Sequence, residues 1–321
     1  MKEWNPKRVF SRVGIGLCAM LVVVFIVQYL WFEIPDWVLG PENRLTVSSA
    51  WMWLGNIVPM YLLGMPVFLL VVRKVPAQSG PKEPLGANRF WILLPICFFF
   101  MYSGNIIGNL LAAILSGGTA VNPIEDVLMD NHPLKFLMTV ILAPVLEEYV
   151  FRRQIIDKLR GYGEKTAVLI SALLFGLFHL NLYQFVYAFG LGILFGYMYV
   201  RSGRLRYSVI VHMLINFIGG VIAPAMLQLL ENPIFANPDS MDMMQSLLSL
   251  PLLLLLEVFS AAIFGMFVAG LVLFCVRFKK AEWLPASAQL PKEQVHQSIW
   301  NVGMVLFIIL STGLTIVMLY L

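Results

Sequence analysis

Charged residues are scarce in this sequence, and their scarcity excludes most classes of soluble protein. Asp, Glu, Lys and Arg together make up 12% of the 321 residues, whereas 60% of the residues are hydrophobic. Soluble domains carry about 25% charged residues and are about 45–50% apolar. The composition therefore excludes an ordinary cytosolic globule, a disordered protein and a nucleic-acid-binding module. It indicates a polytopic membrane protein.

Cysteine and the common hydrolase motifs are also scarce or missing. The three cysteines, Cys18, Cys97 and Cys275, lie in apolar runs and cannot form a complete set of disulfides. We interpret them as small core hydrophobes. The sequence contains no His-Glu-x-x-His and no Gly-x-Ser-x-Gly, so zinc-protease and serine-hydrolase chemistry would lack their usual motifs.

Long apolar runs are what the sequence has in abundance. A transmembrane helix needs roughly 20 mostly apolar residues, and nine segments approach or exceed that length. They are residues 13–32, 50–72, 90–116, 134–151, 166–183, 185–200, 207–230, 246–276 and 298–321. The sequence therefore predicts an all-α polytopic membrane bundle of about nine transmembrane helices, forming a single membrane domain over residues 1–321.

The loop charges predict the orientation of this bundle. If the N-terminus is cytoplasmic and the nine spans alternate, every Lys and Arg except Arg44 and Lys135 falls on the cytoplasmic side, as the positive-inside rule requires. The outer loops carry acidic residues: Glu33, Asp36, Glu42, Glu125, Asp126, Asp130, Glu231, Asp239 and Asp242. The net charge of +4 is thus explained by topology in the plasma membrane, without a nucleic-acid partner.

Ionisable residues inside the apolar runs are few, and each is costly to insert unless it has a partner or a cavity. Most fall in three motifs: Glu147-Glu148-Tyr149-Val150-Phe151-Arg152, Phe175-Gly176-Leu177-Phe178-His179 and His212-Met213-Leu214-Ile215-Asn216. Residues four apart share a helical face, so Glu148 can pair with Arg152. Each motif alone has a structural explanation, such as a hydrogen-bonded core histidine, an interfacial helix end or an interhelical amide contact. Together they predict one converging site.

Glu257 is a further acid within an apolar run, in the middle of the eighth predicted span. Two interpretations stay open. The residue is either a protonated acid hydrogen-bonded within the bundle or a wall residue of a substrate cavity.

The residue types in the three motifs suit the hydrolysis of a peptide bond without a covalent intermediate. A carboxylate and an imidazole that flank a water molecule can remove its proton. A second imidazole and an amide can donate hydrogen bonds to the oxyanion that develops on the carbonyl. Because Glu147 faces away from Arg152, we predict Glu147 as the base.

The three motifs, in this order, resemble the CPBP (CAAX protease and bacteriocin-processing, or Abi) family of intramembrane proteases. The resemblance covers about residues 134–230, which would form the catalytic core between flanking transmembrane helices in 1–133 and 231–321. It implies an endopeptidase that cleaves a membrane-anchored, in some members lipidated, protein or peptide in a cavity open to the cytoplasm. The implied catalytic residues are Glu147 and His179 for water activation and His212 and Asn216 for the oxyanion, with Glu148, Arg152 and Phe175 in support.

Three alternatives stay open at this stage. Glu147, His179 and His212 could ligate zinc, since three protein ligands plus water form the usual catalytic set, but they come from separate helices and a mechanism without a cofactor is favoured. The protein could be a non-enzymatic scaffold or a bacteriocin-immunity or regulatory partner with the same fold. A transporter is disfavoured, because no inverted repeat is found.

The depth of His179 adds one structural expectation. It lies fourteen residues after Lys165, or about 21 Å along a helix, which is deeper than Glu147 and His212 lie from their nearest basic residues. We therefore predict that residues 181–184 turn inside the protein, and that the fifth and sixth spans are both short.

Overall fold

The computed structural model describes residues 5–40, 48–80, 82–230, 243–277, 280–283 and 298–320, and within these ranges it contains helices and no β-strand. The helices are α1 (Pro6–Leu39), α2 (Ser49–Val72), α3 (Ala87–Ser116), α4 (Ile124–Met129), α5 (residues 133–159), α6 (Glu164–Phe178), α7 (Leu182–Ser202), α8 (Leu205–Leu230), α9 (Met243–Arg277) and α10 (Val302–Tyr320). Several residues used to predict topology lie outside the described residues: Lys2, Glu42, Arg44, Glu231, Asp239, Asp242, Lys279 and Lys292.

Seven of the described helices are long and apolar enough to cross a membrane: α1, α2, α3, α7, α8, α9 and α10. The other two predicted spans are also helical. One is α5, which carries the charged motif of Glu147 to Arg152, and the other is α6, which has only 15 residues. The prediction of an all-α polytopic membrane bundle is confirmed, and the predicted count of about nine agrees roughly with these seven spans.

The boundary between α6 and α7 differs from the prediction. α6 ends at Phe178, and the turn occupies residues 179–181 instead of 181–184. Leu180 has a φ of 56° in the left-handed region, and the Asn181 side chain caps α7 by accepting a hydrogen bond from the Gln184 backbone N–H at 2.8 Å. α6 is short, as expected, but α7 has 21 residues and can span the bilayer.

Wide π-helical turns interrupt α2, α5 and α8. Three of them contain or closely precede a proline: Pro59 in α2, Pro144 in α5 and Pro224 in α8. Proline lacks the N–H that would bond to the carbonyl four residues earlier, so the helix has to rearrange locally. A fourth π turn, Tyr149–Ile156, contains Arg152 and no proline. The motif helix α5 is thus the least regular of the long helices.

Close helix crossings position the bundle around the motifs. Gly14 of α1 meets the backbone of Gly303 of α10, where an added Cβ would lie 2.3 Å from a backbone atom. Gly104 of α3 meets Tyr187 of α7 in the same way at 2.5 Å. Small residues permit such close packing between membrane helices. α7 packs against both α3 and α6, which brings the second motif into the interior.

The prediction that the cysteines are core residues is confirmed for Cys97, in part for Cys18, and not for Cys275. Cys97 is buried and Cys18 is half-buried, so both contribute to packing. Cys275 lies on the exposed surface of α9, so its interpretation as a core residue is wrong. α9 packs mainly against α3, and most of its surface faces outward, toward where lipid would lie.

Candidate active site

Adjacent glutamates in α5 have different environments. Glu148 is fully buried and forms two hydrogen bonds with Arg152, whose Nε donates to Oε2 at 3.0 Å and whose second guanidinium nitrogen donates to Oε1 at 3.1 Å. The predicted pairing across one helical turn is confirmed. The side chain of Glu147 keeps 22% of its surface exposed. One carboxylate is therefore committed to an internal ion pair, and the other remains accessible.

Arg152 is also fully buried, and it joins α5 to α6. Its guanidinium donates a hydrogen bond to the Ser171 hydroxyl at 3.1 Å, and Ser171 in turn donates to the Phe151 carbonyl at 2.6 Å. The guanidinium carbon lies 4.8 Å from the centre of the Phe175 ring, within cation–π range. Sequence reasoning missed Ser171, although its position four residues before Phe175 places both on one face of α6.

His212 of α8 lies between the two glutamates. Its Nε2 is 3.8 Å from Glu147 Oε2, and its Nδ1 is 3.3 Å from Glu148 Oε1, the latter without the alignment of a hydrogen bond. The imidazole stacks on the Phe195 ring at 5.0 Å and is almost completely buried. A single imidazole therefore faces both carboxylates of the first motif.

His179 follows the last residue of α6 and is half-buried. Its Nδ1 lies 2.8 Å from the backbone carbonyl oxygen of Phe175. A carbonyl oxygen can only accept, so Nδ1 carries the proton and Nε2 is the ring's basic nitrogen. The Asn181 amide donates a hydrogen bond to the His179 carbonyl at 2.8 Å. The turn after α6 thus fixes both the position and the tautomer of this imidazole.

Phe175 occupies the centre of the cluster. Its ring contacts the His179 ring at 4.8 Å and the His212 ring at 5.9 Å, both edge to face. It also lies against Arg152, as described above. The structure therefore brings all three motifs together around one aromatic ring.

Asn216 is positioned differently from the other members. Its amide nitrogen donates a hydrogen bond to the Thr139 carbonyl at 2.8 Å, in the π turn Leu137–Leu142 of α5. This bond ties α8 to α5. A side-chain amide has two N–H groups, and the bond to Thr139 uses one of them.

The residues of the zinc alternative are not grouped as metal ligands in this structure. Among the residues that the structure describes, no three His, Cys, Asp or Glu side chains are placed to hold a metal ion together. Whether Glu147, His179 and His212 bind zinc in the working enzyme stays a prediction.

A crevice opens beside Glu147 on the side of α1 and α2. The space between its lining residues is about 260 Å³ when the open solvent at its mouth is counted with it. Its lining includes Met20 of α1, Met60, Tyr61 and Met65 of α2, and Phe178 of α6, together with Glu147 itself. We call it the Glu147 crevice. Sequence reasoning did not find it, because α1 and α2 carry none of the three motifs.

Glu257 takes no part in this site. Its side chain lies on an exposed face of α9, and it does not line the Glu147 crevice. Its exposure contradicts the predicted hydrogen bond within the bundle, whereas its place in the wall of a substrate cavity stays a prediction.

The fold and the site define an integral membrane protein with a carboxylate–imidazole cluster inside a helical bundle. Residues 130–218 match the family model of type II CAAX prenyl endopeptidase Rce1-like proteins. The chain is 31% identical over 172 residues to the membrane-embedded CAAX protease MroQ of Staphylococcus aureus. The aligned region covers 49% of this chain and 68% of that protein. The chain is 27% identical over 184 residues to YdiL of Bacillus subtilis, whose name describes a membrane peptidase, covering 54% of this chain and 72% of that protein. No solved structure matches.

The chain therefore belongs to the CPBP family of membrane-embedded CAAX proteases. Its general activity is that of a membrane endopeptidase, and its substrates are membrane-associated proteins.

Proposed function

We propose that the protein hydrolyses a peptide bond of a membrane-anchored protein or peptide, lipidated or not, with a water molecule activated by Glu147 and His179. One observation carries the proposal. The Glu147 carboxylate lies 3.8 Å from the His212 imidazole and also lines an open crevice. A base that is both accessible and held next to a hydrogen-bond donor is what hydrolysis by activated water requires.

The reaction needs only the groups of this cluster. Glu147 accepts a proton from the water, whose oxygen attacks the carbonyl carbon of the scissile bond. His179 orients the same water through Nε2, because its Nδ1 is occupied by the Phe175 carbonyl. The tetrahedral intermediate then collapses, the C–N bond breaks, and Glu147 returns the proton to the departing amine. No covalent bond to the enzyme forms.

His212 and Asn216 are proposed as the donors to the oxyanion. His212 presents Nε2 on the side of Glu147, where the attacked carbonyl would lie. Asn216 is one helical turn further along α8 and has its second amide N–H for this purpose. Donors placed in advance stabilise the charge that develops in the transition state, without reorganisation at the moment of reaction.

Glu148 and Arg152 are proposed to hold this geometry and not to react. Both oxygens of Glu148 accept hydrogen bonds from Arg152, so this carboxylate is less suited to take a proton from water. Because Glu148 also lies 3.3 Å from His212 Nδ1, the ion pair orients the imidazole toward Glu147.

We also propose that the site opens toward the cytoplasm of the plasma membrane and that catalysis needs no metal. The distribution of Lys and Arg between the loops supports the orientation. Elemental analysis of chelator-washed, active protein tests the second point. Stoichiometric zinc whose removal abolishes activity, and whose return restores it, would overturn the metal-independent mechanism.

Turnover by the purified protein separates this proposal from a non-enzymatic scaffold or immunity partner. The protein in detergent would be incubated with quenched fluorescent peptides and matched lipidated peptides, and the products identified by mass spectrometry. We expect cleavage at a defined bond. Binding of peptides without cleavage of any of them, by protein that retains its cooperative thermal transition, would favour the scaffold.

A further inference from the structure

The two helices that carry the second and third motifs each have a serine one turn before the motif begins. On α6, Ser171 lies four residues before Phe175, and on α8, Ser208 lies four residues before His212. Residues four apart share a helical face, so each serine lies on the face that its helix turns toward the cluster. Both serines are completely buried.

We propose that Ser171 and Ser208 are positioning residues of the catalytic site. They hold the ion pair of Glu148 and Arg152 from two neighbouring helices and thereby fix the position of His212. Neither serine takes part in the transfer of a proton. The inference rests on the proposed function, because the serines affect turnover only if the imidazole does.

Ser171 holds the arginine of the pair. The Arg152 guanidinium donates to the Ser171 hydroxyl at 3.1 Å, and that hydroxyl donates its own proton to the Phe151 carbonyl at 2.6 Å. Phe151 and Arg152 both belong to the π turn Tyr149–Ile156. A π turn pairs residues five apart instead of four, so the ordinary spacing of an α-helix does not fix the arginine. The contact from α6 supplies that constraint.

Ser208 holds the carboxylate of the pair. Its hydroxyl is 3.0 Å from the Leu205 carbonyl oxygen and is within hydrogen-bonding range of the Glu148 carboxylate. Both neighbours are acceptors, so they share the one hydroxyl proton. A buried ion pair needs further hydrogen bonds to the sites that its partner leaves free. Ser208 contributes such a bond from the helix that also carries His212.

The position of His212 depends on this pair. Its Nδ1 is 3.3 Å from Glu148 Oε1, and its Nε2 is 3.8 Å from Glu147 Oε2. A shift of the Glu148 carboxylate would therefore change the distance between the imidazole and the proposed base. A misplacement of about 1 Å can cost about 10²-fold in rate. Ser171 and Ser208 restrain the two ends of the pair against such a shift.

Steady-state kinetics of serine variants test the inference on a peptide that the wild-type protein cleaves. The variants are Ser171→Ala and Ser208→Ala, with Ser171→Cys and Ser208→Cys in parallel, because a thiol is similar in size but forms only weak hydrogen bonds. Ser311→Ala is the matched control. Ser311 is equally buried, but its hydroxyl donates to the Phe307 carbonyl of its own helix, α10, at 2.7 Å. Rates are measured well below the thermal transition of every variant.

We expect the alanine and cysteine variants of Ser171 and Ser208 to lower kcat by about 10–100-fold, with little change in KM. The loss should be smaller than for His212→Ala, because the imidazole is displaced and not removed. Ser311→Ala should keep the wild-type kcat, even if it lowers the transition temperature by a similar amount. The contrast separates positioning from a general loss of stability.

A second measurement shows whether the effect passes through the imidazole. Residues that act as a unit do not have additive effects. When His212 is already replaced by alanine, we therefore expect Ser208→Ala or Ser171→Ala to lower kcat further by less than about twofold. Product detection by mass spectrometry reaches the slow rates of these double variants.

Three results would overturn the inference. The first is a kcat within about twofold of the wild-type value for the folded variants of either serine. The second is an equal loss of kcat in Ser311→Ala. The third is the full additional loss of kcat in the His212→Ala background. Failure of the proposed function is a different result, because cleavage would then be absent in the wild-type protein or would persist in Glu147→Gln.

Discussion

At the scale of single residues, sequence reasoning predicted the pairing within one helix but not the contacts between helices. The four-residue spacing of Glu148 and Arg152 dictates their contact once the helix forms. The position of His212 between two carboxylates depends on how α8 packs against α5, and the bond from Asn216 to Thr139 depends on a π turn. Neither contact can be predicted from the spacing of residues within one helix, because that spacing does not give the angle or register at which two helices cross.

The buried ion pair gives the first prediction. Arg152→Ala leaves the Glu148 carboxylate buried without its charged partner, which typically costs about 3–5 kcal/mol. We expect a large drop in the thermal transition temperature in detergent, or poor accumulation of folded protein. Lys165→Ala is the control, because its side chain is exposed and its loss should cost little. An unchanged transition for Arg152→Ala would contradict the role of the pair.

The oxyanion donors give a kinetic prediction. His212→Ala and Asn216→Ala should each lower kcat by about 10²–10³-fold, with little change in KM, because a donor that acts mainly in the transition state has been removed. Steady-state kinetics on one cleaved peptide measures both constants. Losses confined to KM would show that these residues position the substrate instead.

At the scale of helices and turns, the sequence carries a local signal for the boundary between α6 and α7. The sequence placed a continuous span over residues 166–183, whereas α6 ends at Phe178. Asn181 followed by Gln184 has the spacing of an N-terminal capping box, and Asn181 does cap α7. The apolar character of the whole region hid this signal. The π turns of α5 and α8 were not predicted, although Pro144 and Pro224 mark two of them.

A hydrogen bond on the predicted outer side links two elements and gives a pH prediction. The Trp53 indole N–H donates to Asp130 at 2.6 Å, and together with the backbone N–H of His132 it holds the pKa of the Asp130 carboxyl below its usual range. A carboxyl with a lowered pKa in the folded state stabilises the protein above its unfolded pKa of about 3.9. That stabilisation is lost as the pH falls through the folded value.

Asp130→Asn should therefore lower the transition temperature at pH 7, and the difference from wild type should shrink as the pH falls below about 4. Glu125→Gln is the control, because it removes another acid from the same predicted outer region and leaves the bond to Trp53 intact. A difference that stays constant across this pH range would contradict the assigned linkage.

At the scale of the whole molecule, composition and loop charges predicted the class of fold, but not the arrangement of its surface. Apolar runs suffice to identify an all-helical membrane protein, and the comparisons agree with that class. The apolar runs alone do not indicate that α9 packs mainly against α3 and that the rest of its surface faces outward. The two faces of a uniformly apolar helix cannot be distinguished in the sequence. The position of Glu257 on the outward face of α9 was therefore not predicted.

The orientation of the bundle can be tested across a single helix. Glu83 and Val121 are both exposed and lie in the segments just beyond the two ends of α3. In a variant without native cysteines, we expect Glu83→Cys to react with a membrane-impermeant reagent only from the cytoplasmic side, and Val121→Cys only from the outer side. The reverse pattern would place the N-terminus and the active site on the opposite side of the membrane.

The role of Glu147 is the central claim, and its direct test is the turnover of Glu147→Gln on a peptide that the wild-type protein cleaves. The amide keeps the shape of the side chain but cannot accept a proton from water. We expect a rate below a few per cent of the wild-type rate, with an unchanged thermal transition. A variant that is folded and retains a substantial part of the wild-type rate would contradict the account and would make Glu148 the first candidate for the base.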